Sequence, residues 1–257
     1  MAYMKQVYHL DLNEKQVVGI KLALLPGDPD RVPKIAEHFE KPVKLAHKRE
    51  YHTYKCSLGG KELLVTSTGM GGPSTATTIE ELAQLGIKYF LRVGTTGAIQ
   101  EYINVGDVII STGAVRLDGA SYHYAPREYP AVADYEIVHA AITACKNTKI
   151  SFHYGITASS DTFYQGQERY DSYSKYVPRH FQGSFNEWKK LHVLNYEMEA
   201  ATLFTAASSC GLKAGAINGV ILNRNSTEHI SKNELELGET NVIKAAKAAV
   251  ALLLQNI

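Results

Sequence analysis

The sequence holds little that would tie it to an oxidising compartment, a metal or a membrane. Only three of its 257 residues are cysteine, Cys56, Cys145 and Cys210, and they lie far apart with no C-x-x-C pair. An odd, scattered set excludes a disulfide framework and a zinc ribbon, so a reducing cytoplasm is expected. The ten histidines show no H-E-x-x-H or similar ligand spacing, which argues against a transition-metal site. An excess of one charge sign is also missing. The formal net charge is +1, so no global field draws the chain to nucleic acid or a membrane surface, and any anion site must be built locally. The longest apolar run, Ala248 to Leu254, is far too short to cross a bilayer. Met1 to Leu12 carries Lys5 but no apolar core, so no signal peptide is expected. No repeat, low-complexity tract or linker divides the chain, and residues 1–257 are expected to form a single domain.

What is present is an alternation of strand and helix signals, which predicts an α/β fold. Lys21 to Leu25 reads as a strand stopping at Pro26-Gly27-Asp28-Pro29, and Asp30 to His38 as a helix. Asp28 can cap that helix, and Arg31 falls in its first turn, where N–H groups favour anions. Leu45 to Ser57 carries the charge cluster His47-Lys48-Arg49-Glu50, which reads as a solvated face. Tyr89 to Thr95 predicts a strand that runs into Gly94-Thr95-Thr96-Gly97. There the glycines would allow a turn whose N–H groups and hydroxyls face one oxyanion, with Arg92 beside them. An ordinary strand-ending turn reads the same way. Gly155 to Ser160 and Ala214 to Leu222 predict further strands, and Tyr135 to Lys146 and Asn241 to Gln255 amphipathic helices.

Two glycine motifs fail on inspection. Gly69-Met70-Gly71 follows a strand, but the third glycine of a dinucleotide fingerprint is Ser74, and no acidic residue stands about 20 positions on. Gly72-Pro73-Ser74-Thr75-Ala76 resembles a nucleophile elbow without Asp and His partners. A glycine-rich turn into a helix that stops at Gly86 accounts for both.

Phe163 to Arg169 places an aromatic ring, an amide and a guanidinium within a few residues. If the segment is extended, Gln167 and Arg169 share one side, a donor–acceptor set suited to a base edge with a carbonyl–NH–carbonyl pattern. Tyr196-Glu197-Met198-Glu199 brings two carboxylates next to a helix start. They could grip vicinal hydroxyls, act as an acid/base pair, or serve the helix terminus.

Gly27 to Arg31, Arg92 to Gly97, Phe163 to Arg169 and Tyr196 to Glu199, together with Gly71 to Ser74 and Val115 to Ser121, occur in this order and spacing in one family. The chain resembles the hexameric-type nucleoside phosphorylases from about Tyr8 to the last helix. Gln167, Arg169 and Leu222-Asn223-Arg224 match the uridine branch, the uridine phosphorylases, rather than the purine branch. The resemblance implies a mixed, partly barrel-like central β-sheet flanked by helices. It also implies reversible phosphorolysis of uridine to uracil and ribose 1-phosphate, in pyrimidine nucleoside salvage. Gly27, Arg31, Arg92 and Thr95 would bind phosphate, with Arg49 reaching in from a neighbouring subunit. Phe163, Gln167 and Arg169 would meet uracil, with Arg224 closing its far edge. Met198, Glu199 and Thr95 would meet ribose, with His9 from the neighbour. Arg92, Gln167, Arg169, Glu199 and Arg224 would carry catalysis. No organic cofactor is implied. Phosphate is the co-substrate, and potassium would sit between subunits at Glu50, Met70 and Ser74. The implied assembly is a homohexamer of dimers with shared active sites and no nucleic-acid or membrane partner. The chain departs from the family pattern at Met70, at Gln165 and across Asn225 to Glu234. A water-using nucleosidase, a purine phosphorylase and a silent nucleoside-binding protein are the rival readings.

Overall fold

The structure, a computed structural model, describes residues 5–257. Met1 to Met4, the start of the stretch read above for a signal peptide, lie outside the described residues. In chain order the elements are β1 (Leu22–Leu25), α1 (Arg31–Ala36), β2 (Glu40–Lys48), β3 (Tyr51–Leu58), β4 (Lys61–Thr66), α2 (Gly72–Gln84), β5 (Tyr89–Ala98) and β6 (Val108–Leu117). They continue with β7 (Ala131–Val132), α3 (Tyr135–Thr148), β8 (Phe152–Ser160), α4 (Ser184–Lys190), β9 (Asn195–Glu197), α5 (Ala200–Ser209), β10 (Lys213–Asn223) and α6 (Lys232–Leu253).

β5 organises the sheet. Phe90 to Val93 is buried on both faces, the pattern of a strand covered by helices on each side. It lies parallel to β1 and β10 and antiparallel to β9. β10 pairs with β6, β6 with β8, and β8 with β9. The path β5–β10–β6–β8–β9 therefore returns to β5 as a closed five-stranded barrel, and β1, β4, β3 and β2 extend from it as an open wing. The expected mixed, partly barrel-like sheet is what forms.

Alternation along β1 divides the core. Leu22 and Leu24 face α3 and α6, packing with Ile137, Ala141, Val242 and Ala246. Ala23 and Leu25 face α2 and α5, packing with Ile79, Leu82, Leu203 and Phe204. Side chains one residue apart on a strand serve opposite layers.

One expectation is corrected here. Gly94 to Gly97 is not a turn. β5 continues through it to Ala98, in parallel register with β10, where Gly94 faces Asn218 and Thr95 faces Gly219. Neither glycine has a positive φ. They are needed for space. A Cβ on Gly94 would strike Asn218 Oδ1 and lie 3.1 Å from Arg92 Nη2, and one on Gly97 would lie 3.3 Å from both Arg224 Cγ and Leu222 Cδ1. The charge cluster at His47 to Glu50 is the tip of the β2–β3 hairpin, with Arg49 at φ 56°.

Candidate active site

The strand ends and α6 enclose a cavity of about 560 Å³. Gly27 and Arg31 line it from the β1–α1 connection, Arg92, Thr95 and Gly97 from β5, and Met198 and Glu199 from the β9–α5 junction. Phe163, Gln167 and Arg169 line it from the loop after β8, and Ile221, Ile230, Leu235 and Glu239 from the final strand and helix. Five segments far apart in sequence thus meet where the strands end, the place where α/β sheets bind ligands.

The local chemistry at Asp28 differs in detail from expectation. Asp28 Oδ1 accepts the N–H of Asp30 at 2.8 Å, and α1 itself has no side-chain cap. This turn places Arg31 as the first residue of α1, buried, with Nε 3.1 Å from Glu239 of α6. Burial pushes the Arg31 pKa down, opposed by Glu239, while the charge of Arg92 lowers it further. Arg92 is equally buried, its Nε 3.1 Å from Glu197 and its Nη2 paired with Glu199. Arg31 Nη2 and Arg92 Nη1 are buried without a hydrogen-bond partner among the described residues. Buried cationic donors left open are costly. Two of them repelling each other beside one cavity call for an anion.

The two carboxylates of the β9–α5 junction do different work. Glu197 accepts N–H groups of Glu199 and Ala200 at 2.9–3.0 Å and so finishes the start of α5. Glu199 faces the cavity, and its Oε1 accepts the Gly71 N–H at 2.6 Å. Gly71, at φ 88°, therefore orients a carboxylate through its backbone. Burial pushes the Glu199 pKa up. Arg92 opposes the rise, and the neighbouring Glu197 adds to it.

Gln167 and Arg169 are buried together, but not by extended geometry. Gln165–Gln167 forms a 3₁₀ turn and Glu168 has φ 52°, which brings Arg169 Nε to 3.4 Å from Gln167 Oε1. The guanidinium lies over the Phe163 ring, 4.2 Å from its centroid. Arg169 and Arg224 both engage Glu228. Burial lowers the Arg169 pKa, Arg224 lowers it further, and Glu228 opposes the shift. Arg224 stands behind the cavity wall and donates through Nη1 to the Gln167 carbonyl at 2.9 Å. It buttresses Gln167 rather than lining the space.

His9 and Arg49 do not join the cavity of their own chain. His9 is held by Glu81, with Nδ1 2.6 Å from Oε1, and its side chain is 41% exposed. Arg49 is exposed at the hairpin tip. Glu50 and Met70 border the cavity on the same side, and Ser74 Oγ donates to the Met70 carbonyl at 3.0 Å. These donors are oxygens, which suits a hard monovalent cation, but three oxygens of one chain make a partial shell. Sequence reasoning missed Glu228 and Glu239. Glu228 had a local signal, four residues after Arg224 near a helix start. Glu239 had none, since only the fold carries α6 to Arg31.

Known proteins are similar along nearly the whole chain. The model of the phosphorylase superfamily matches residues 21–257. The uridine phosphorylase of Escherichia coli K12 is 54% identical over 248 residues, covering 96% of this chain and 98% of that protein. The uridine phosphorylase of Haemophilus influenzae is 49% identical over 251 residues, covering 98% and 100%. A guanosine phosphorylase of Halorubrum lacusprofundi is 37% identical over 243 residues, covering 93% and 94%. With the cavity assembled from the segments that carry the likeness, the chain belongs to the phosphorylase superfamily and, within it, to the uridine phosphorylase family.

Proposed function

We propose that the chain catalyses the reversible, phosphate-dependent cleavage of uridine to uracil and ribose 1-phosphate. The observation that carries this reading is one cavity holding two kinds of site. Open, buried guanidinium donors of Arg31 and Arg92 line it, and so does the Gln167–Arg169 pair on Phe163.

Phosphate binds at Gly27, Arg31, Arg92 and Thr95. Its charge draws Arg92 away from Glu199, which then accepts from the ribose hydroxyls beside Met198. As the glycosidic bond lengthens, the sugar gains positive charge and uracil negative charge. Ionised Glu199 steadies the first. Gln167 and Arg169 take up the second as preorganised donors, with Arg224 fixing the Gln167 backbone. Phosphate held against the anomeric carbon completes the displacement without a covalent enzyme intermediate. A purine base would ask for a carboxylic acid near its ring nitrogen. Asn223 stands in that segment, and its amide is occupied by the carbonyls of Gln100 and Ile103 at 2.8–2.9 Å.

The active assembly is a homohexamer of dimers in which His9 and Arg49 complete a neighbour's site. Its support is that both project from the chain yet stay out of its own cavity. Glu50, Met70 and Ser74 would hold potassium between subunits, where its charge would offset the Glu50 carboxylates. The enzyme works in the cytoplasm, in pyrimidine nucleoside salvage. No helix among the described residues is long and apolar enough to cross a membrane.

The test is kinetic. Arg169→Ala lowers kcat/KM for uridine by ~10²–10³, the usual loss for one such donor, while the KM for phosphate stays near the parent value. A variant that loses phosphate affinity but keeps uridine turnover rejects the assignment. In the same assay the parent enzyme prefers uridine to inosine.

A further inference from the structure

We propose that Glu228 is an internal competitor for the base site: its carboxylate holds Arg169 and Arg224 in the empty enzyme, and the uracil edge must displace it. This rests on the assignment of Gln167 and Arg169 to the base.

The geometry is that of a latch. One Glu228 oxygen pairs with Arg169 Nη1, and the other lies 2.7 Å from Arg224 Nε. Both guanidiniums are buried, with side chains 4% and 3% exposed, whereas the Glu228 side chain is 38% exposed. Two buried cations therefore share one anion that is open to solvent. The cations are held without it. Arg169 lies on Phe163 and near Gln167 Oε1, while Arg224 lies 5.0 Å from the Phe185 centroid and 5.2 Å from that of Tyr196 and donates to the Gln167 carbonyl. Glu228 is tied to the fold far less. Among the described residues its side-chain partners are these two arginines, and it sits in the 224–231 connection between β10 and α6.

A carboxylate spread over two oxygens resembles the anionic edge that uracil acquires when it leaves. Uridine, neutral at its base, exchanges poorly against Glu228, while the anion forming in the transition state exchanges well. Displacing the latch costs bound uridine and its transition state alike, so it raises KM and leaves kcat unchanged. It also re-forms as uracil departs. If it is seated about nine-tenths of the time, the apparent affinity for free base falls about tenfold, since only the open fraction binds.

The connection bearing Glu228 leads into Ser231, which caps α6, and α6 carries Glu239 onto Arg31.

The test is calorimetric binding of uracil to the full-length protein, with steady-state uridine cleavage alongside. Glu228→Gln keeps size and removes charge. It is expected to tighten uracil about tenfold, lower the KM for uridine, leave phosphate affinity unchanged and not raise kcat. In an Arg169→Ala background the same substitution leaves uracil affinity unchanged, a result a merely structural role would not give. Unchanged or weaker uracil binding by a Glu228→Gln protein that melts at the parent temperature overturns the latch. Glu228→Ala serves the same comparison if the glutamine variant is unstable. Should the parent fail to cleave uridine while Glu228→Gln still tightens uracil, the activity reading falls and the latch stands. Should the parent cleave uridine and the variant bind uracil as the parent does, the latch alone falls.

Discussion

Gly94 shows how a residue can be legible in kind and misread in cause. Glycine between Arg92 and Thr95 suggested a turn. In the fold it is a strand residue that leaves room for Asn218 Oδ1 and the Arg92 guanidinium. Asn218 comes from β10, beyond reach of any local reading. Gly94→Ala is expected to cost about 1–3 kcal/mol, the usual range for overpacking a full site, and to lower kcat/KM by displacing Arg92. Asn218→Ala in the same chain is expected to recover at least half of the lost stability in a denaturant titration. Strictly additive costs would show that the two do not collide. Arg31, Arg92, Gln167, Arg169 and Glu199 were legible because each stands in a motif of its own. Of their counter-charges, Glu228 lies in the Asn225 to Glu234 stretch that departs from the family pattern, and Glu239 reaches Arg31 only because the fold carries α6 there.

At the scale of elements, apolar runs marked strands well and solvated strands poorly. β2 is exposed or half-exposed throughout, so its pattern read as a charged surface. α6 begins nine residues before the expected Asn241, at Lys232. Its signal was Ser231-x-x-Glu234, a capping box that the fold uses with both bonds formed. A second element-level device ties the N-terminal segment to α2. Glu81 accepts the N–H groups of His9 and Leu10 at 2.8–3.0 Å and pairs with His9 Nδ1. Burial alone would raise the Glu81 pKa, but the Leu10 and His9 donors outweigh it and hold it below 4.5. A depressed carboxylate stabilises the fold above its unfolded pKa, and that contribution is lost as pH falls through the folded value. Glu81→Gln is expected to lose about 1–3 kcal/mol at pH 7. The gap to the parent should close as pH drops below the ordinary carboxylate range. A gap that is constant from pH 7 to pH 3 would assign the loss to packing instead.

For the whole molecule, closure of β5, β10, β6, β8 and β9 into a barrel gathers the strand ends around one cavity. Strand–helix alternation made the α/β class legible. It could not announce closure, because the β5–β9 and β8–β9 pairings involve only two or three residues of a three-residue strand. The positions of His9 and Arg49 outside their own cavity lead to a prediction at this scale. Arg49→Ala and Arg92→Ala proteins, each nearly inactive alone, are expected to regain part of the activity when mixed and reassembled, since some sites then receive both arginines. Verified mixed oligomers without recovery would contradict shared sites. The central claim is that the paired guanidiniums hold a nucleophile for a uridine-specific cavity. Its most direct measurement is uracil release from uridine with and without inorganic phosphate, with ribose 1-phosphate quantified. The account predicts release only with phosphate and one ribose 1-phosphate per uracil, whereas equal release without phosphate would contradict it.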